Sequence, residues 1–132
     1  MLTAFAKERL MEVANIIIEE PKRLDMGSWV ISMVELLPEN RPVCNTVACI
    51  AGWVVALSLP SPCELIGIVD WQICDRAQKL LDLTQAEVNR LFFEDGFPLK
   101  FRLWDVKAGT EAYARRVHDR ILFFIDSDGW DL

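Results

Sequence analysis

The sequence predicts an all-α fold: one helical domain over residues 1–132, a compact bundle of five or six helices around a buried apolar helix at 46–59, with one extended segment near 97–104. Three observations carry this. Apolar side chains recur at three- and four-residue spacing through most of the chain, the period of one helix face. Capping residues and prolines punctuate those stripes. The run Val47 to Leu59 holds almost no polar side chain, and a helix that is apolar all round must be buried all round.

The first helix is predicted from Thr3 to Glu19, with Leu2, Phe5, Ala6, Leu10, Val13 and Ile17 as its stripe and Pro21 as its stop. The second is predicted to start at Asp25 as N-cap and to bury Met26, Trp29, Val30, Met33, Val34 and Leu37 before Pro38. Asn45 and Thr46 are predicted to cap the third, the central post. Ala48, Gly52 and Ala56 would form a ridge of small residues on it, which lets a neighbouring backbone approach closely. Leu65 to Val69 is a short apolar run, strand or loop. The fourth helix is placed from Asp70, burying Ile73, Cys74, Ala77, Leu80 and Leu81. Thr84 with Glu87 is the signature of a capping box and opens the fifth, which turns Leu91 and Phe92 inward. From Phe97 to Leu103 large apolar residues alternate with Lys100 and Arg102, a period of two that predicts extended chain. The last helix starts at Thr110 and buries Ala114, Val117, Ile121, Phe124 and Ile125; the tail Asp126–Leu132 is acidic and expected to be solvated.

Composition narrows the function. With 132 residues, 52% of them apolar and 26% charged, the chain has the length and make-up of one globular domain. The net charge is −6, shared equally by the two halves, so neither a basic nor an acidic arm exists. A pI near 4.8 argues against nucleic-acid binding, which needs a basic stripe to displace counterions. The longest apolar run falls short of the ~20 residues of a membrane span. No signal peptide is read, because Lys7, Glu8 and Arg9 break the first ten residues. The expected location is therefore the cytoplasm, with the thiols reduced.

The segment Cys44-Asn45-Thr46-Val47-Ala48-Cys49-Ile50-Ala51-Gly52-Trp53 resembles a motif of small uncharacterised proteins of bacteria and their phages, which read Cys-Gly-Thr-x-x-Cys-x-Ala-Gly. The similarity extends over about residues 24–93, through Asp25-Met26 and Trp29 upstream and Leu83-Thr84, Glu87, Leu91 and Phe92 downstream. Asn45 stands where those proteins tend to have Gly; both tolerate a left-handed or capping backbone. The resemblance implies no activity and transfers no catalytic residue.

Chemistry-bearing residues are few. Cys44, Cys49 and His118 form the only candidate catalytic set: a thiol at a helix start has a lowered pKa, and a histidine within reach could serve as its base. Against that, Cys49 reads as a small core residue, since free cysteine is among the most buried types. Four residues separate Cys44 from Cys49, and Cys63 and Cys74 make no second pair, so no metal site is expected. Asp126, Asp128 and Asp131 lack the spacing of a calcium loop. No phosphate loop or nucleophile elbow is present, and no cofactor is expected. The balance favours a non-catalytic interaction protein that binds another protein or itself, with a mobile element as its expected carrier. A cysteine-based redox or hydrolytic protein is the alternative. Phe97, Leu99, Phe101 and Leu103 are the candidate partner-binding residues. Their other role would be to close the core.

Overall fold

The computed structural model describes residues 2–26, 30–36, 42–59 and 70–129; side chains are described for 2–26, 49–59 and 72–129. Five α-helices packed together dominate: α1 Ala4–Glu19, α2 Ile50–Ala56, α3 Asp70–Leu81, α4 Gln85–Leu91 and α5 Glu111–Asp126. Single turns of 3-10 helix lie at Pro21–Arg23, Glu94–Gly96 and Leu99–Phe101. The mostly helical class agrees with the sequence. One antiparallel hairpin interrupts it, β1 Val30–Leu36 with β2 Pro42–Ala48.

α1 forms where its caps place it. The Thr3 hydroxyl accepts from the Ala6 amide at 3.0 Å, and Ala6, Leu10, Val13, Ala14 and Ile17 bury one face. That face lies along α5. The two helices run antiparallel, because the Leu2 amide at the start of α1 donates to Asp128 Oδ1 just past the end of α5, at 2.8 Å. Lys7 adds an ion pair to the same carboxylate at 3.4 Å. These bonds hold the Asp128 carboxyl below its usual pKa, the Leu2 amide contributing most. The chain up to Gly129 is thus folded back onto α1, against the expectation of a solvated tail. The last three residues, and Cys63 and Leu65–Val69 within 60–69, lie outside the described residues.

The second predicted helix is a correction. Its apolar spacing suits a helix face, yet residues 30–36 are strand β1, with Val30 opposite Ala48, Met33 opposite Asn45 and Leu36 opposite Pro42. Val30, Ile31 and Val34 are β-branched, as are Val43, Thr46 and Val47 across the ladder, and such residues fit a pleated strand better than a helix. Gly27–Trp29 lie outside the described residues.

The central helix is also corrected. It is 50–56, not 46–59, and Asn45 and Thr46 are ladder residues rather than caps. Cys49 is the N-cap: its Sγ accepts from the Gly52 amide at 3.5 Å. The expected ridge loses Ala48 to the strand. The expectation that this helix is the buried post holds, because all seven residues of α2 are buried, between α1 and α3. Trp53 is its anchor. The indole Nε1 donates to the Arg23 carbonyl at 2.9 Å, and the Arg23 guanidinium sits 4.5 Å from the ring centroid.

α4 begins with the capping box read from the sequence. Thr84 Oγ1 accepts from the Glu87 amide, and Glu87 Oε1 accepts from the Thr84 amide. α5 is capped by Thr110 and buries Tyr113, Ala114, Val117, Ile121 and Phe124, and also Arg120. Ile125 is only partly buried.

Candidate functional site

The expected extended segment near 97–104 is a further correction, and it is the feature of most functional interest. Pro98 leads into a 3-10 turn at Leu99–Phe101, with the Phe101 amide donating to the Pro98 carbonyl at 2.8 Å. Among the described residues no strand lies beside it; the sheet they form contains β1 and β2 alone. Alternating hydrophobicity without a partner strand leaves the backbone donors unpaired, and a tight turn satisfies them locally.

The turn separates the four candidate residues. Phe97 and Leu103 are buried in the core, and Phe101 packs against it with its ring 5.5 Å from that of Phe123. Leu99 points outward and is 74% exposed. Trp104, just beyond Leu103, is exposed to the same 74%. Phe97, Phe101 and Leu103 therefore fill the core-closing role, and only Leu99 remains on the surface.

Several bonds hold this connection firmly. Arg102 Nε donates to the Phe97 carbonyl at 2.7 Å, and Arg116 on α5 donates to the Arg102 carbonyl at 2.8 Å and pairs with Asp105. Arg120 was not singled out in the sequence. It is a buried arginine whose Nη2 donates to the Arg90 carbonyl at 2.8 Å, with its guanidinium over the rings of Phe97 and Phe124. Its position on the buried stripe of α5 is the available signal: Val117 and Phe124 lie three and four residues away, on the same face.

Beside Leu99, between the turn and α5, lies an open cleft of about 340 Å³ lined by Lys100, Phe101, Ala112, Arg115, Arg116 and Asp119. Lys100 Nζ stands 4.1 Å from the Phe123 ring centroid and 5.1 Å from that of Phe101. Between Phe97 and Arg120 the chain carries six basic and three acidic residues, so this segment is net +3 in a protein of net −6.

Of the candidate thiol set, the structure describes the side chains of Cys49 and His118. Cys49 is buried, and burial pushes its thiol from the usual 9.0 up to about 11, against the smaller lowering effect of the Gly52 amide. Cys44 is in β2 opposite Val34, and its side chain is not among those described. His118 is on α5, its Nδ1 3.0 Å from Asp119 Oδ1. Desolvation also raises the half-buried Cys74. Among the described residues no group of three His, Cys, Asp or Glu side chains could hold a metal ion, and no helix is long and apolar enough to cross a membrane. Reactivity should follow from burial. At pH 8, Cys49 in the native protein is expected to react with a thiol reagent at least about tenfold more slowly than after denaturation, because both the thiolate fraction and access are low. Mass-spectrometric mapping checks this; fast native labelling of Cys49 would contradict its buried, protonated state.

Comparison with protein-family models, curated proteins and solved structures gives no match to this chain.

Proposed function

We propose that the protein is a non-catalytic binding module that recognises another protein through the connection between α4 and α5. One observation carries this reading: Leu99 and Trp104, the two most exposed large apolar side chains among the described residues, sit on a segment that is otherwise pinned to the core. Large apolar groups held rigidly in water are an unrecovered cost unless a partner covers them. Tryptophan on a fixed backbone loses little entropy when it binds, and it is a frequent energetic anchor of interfaces.

The buried, protonated Cys49 weighs against a cysteine enzyme, since the thiolate is the reactive form. The resemblance of Cys44–Trp53 to small bacterial and phage proteins supports a mobile-element origin.

The test is the double variant Leu99→Ser/Trp104→Ser. Stability should change by no more than about 0.5 kcal/mol per site, as at other exposed positions. Self-association by sedimentation, or capture of a partner in parallel pull-downs, should be lost. A double variant that keeps every association of the parent protein would overturn the reading.

A further inference from the structure

We propose that the cleft beside Leu99 receives carboxylate side chains of an acidic segment in the partner, while Leu99 and Trp104 cover that segment's apolar residues. This rests on the protein-binding reading and names the chemistry of its partner.

The cations around the cleft differ in what holds them. Arg116 is committed to Asp105 and to the Arg102 carbonyl and forms a fixed wall. Lys100 has no carboxylate partner among the described ion pairs, and its ammonium is held over the faces of Phe123 and Phe101. That cation–π seat restrains the long side chain and leaves its donors for an incoming oxygen. Arg115 makes one contact, with Glu111 at 3.9 Å, both side chains well exposed. An exposed pair of this kind is worth ~0–1 kcal/mol, so a partner carboxylate can replace it readily. Asp119 is the one acid lining the cleft, and it faces His118. Lys100 and Arg115 are therefore the two cations free to turn toward a ligand.

The surroundings select an acidic polypeptide. The half-buried Phe101 ring lines the cleft, and Leu99, next to Lys100 in the chain, is exposed. A ligand that is only an anion would leave those apolar groups wet. A purely apolar one would desolvate two cations without pairing them. An acidic segment with interspersed apolar residues satisfies both. A second copy of this acidic chain could also offer carboxylates. That contact would join two different surfaces, though, and such contacts form rings or open filaments rather than a closed pair.

The probe is a synthetic peptide alternating glutamate with leucine and phenylalanine, alongside the same peptide with glutamine for glutamate. Both are titrated into the full chain and followed by backbone amide NMR shifts. The acidic peptide should bind about tenfold more tightly than the glutamine peptide, the scale of two exposed charge pairs. Shifts should centre on Lys100, Ala112 and Arg115, and raising salt from about 50 to about 300 mM should remove most of the preference. Lys100→Glu/Arg115→Glu should abolish the preference; Lys100→Gln/Arg115→Gln serves the same purpose if charge reversal impairs folding. Equal affinity for the two peptides, no binding of either, the same shifts with an oligothymidylate, or low-salt self-association removed by the charge variants would each overturn the proposal. Equal affinity that still depends on Leu99 and Trp104 would leave the protein-binding reading standing. Binding unaffected by Leu99→Ser/Trp104→Ser would remove that reading as well.

Discussion

Trp53→Ala is expected to cost about 3–5 kcal/mol, the range for truncating a fully buried aromatic side chain. Domains of this size are commonly stable by only ~5–15 kcal/mol, so most of the molecules would be unfolded or close to it at modest denaturant. The reason is geometric. Trp53 is 1% exposed on a helix whose every residue is buried, and α1 and α3 close over that helix. A cavity there cannot collapse without moving both neighbours. Trp53→Phe separates the two contributions: it keeps much of the bulk but removes the donor to the Arg23 carbonyl, worth about 1 kcal/mol. Urea unfolding by circular dichroism measures both. An alanine variant with the parent midpoint would mean that Trp53 is not an anchor of the core.

Gly96→Ala is the second large effect, and it comes from one methyl group. A Cβ at position 96 would lie 1.9 Å from the Asn89 carbonyl oxygen and under 3 Å from Asn89 C and Arg90 Cα, all backbone atoms of α4. No rotamer change relieves a clash with backbone. The 94–96 turn must move off α4, and Phe97, the next residue, must leave its buried seat. Overpacking costs ~1–3 kcal/mol where side chains can adjust, and this site belongs at or above the top of that range. The contrast is Gly109→Ala. Gly109 has φ +86° with nothing within 4 Å, so the cost there is backbone strain alone, about 1 kcal/mol. Thermal melts of the pair decide the point: equal, small losses would show that the close approach at Gly96 is relieved cheaply. Gly96→Ala should also weaken the binding of any partner at 97–104, because it shifts the base of that connection.

Local chemistry is legible in this chain wherever a few neighbouring residues settle the outcome. Thr84 caps its helix as the sequence predicts, and Thr3 and Thr110, where the sequence starts the first and last helices, are their caps, since a hydroxyl reaches an amide three residues on whatever the rest of the fold does. The inward faces of α1 and α5 follow from spacing for most of their stripes, although Phe5 is exposed and Ile125 only partly buried. The buried character of α2 follows from the missing polar side chains.

Other outcomes needed partners far along the chain. Residues 30–36 carry a stripe compatible with a helix, and only the cross-strand ladder to 42–48 makes them a strand. Once β2 claims Ala48, the next helix can begin no earlier than Ile50, and a cysteine becomes its cap. The alternation from Phe97 to Leu103 looks like a strand, yet an extended segment needs a neighbour for its amides, and the described residues supply none. The chain turns instead, and the turn sends Phe97, Phe101 and Leu103 toward the core and Leu99 into water. The candidate surface is therefore only partly visible in the sequence: Leu99 can be named from it, but not that it alone of the four faces out, nor that Trp104 and Arg115 join it. Caps and helical stripes are free energies of adjacent residues, and the sequence by itself determined those. Strand pairing, the burial of Arg120 and the exposure of Leu99 and Trp104 depend on which distant backbone arrives alongside, and only the tertiary structure decided them.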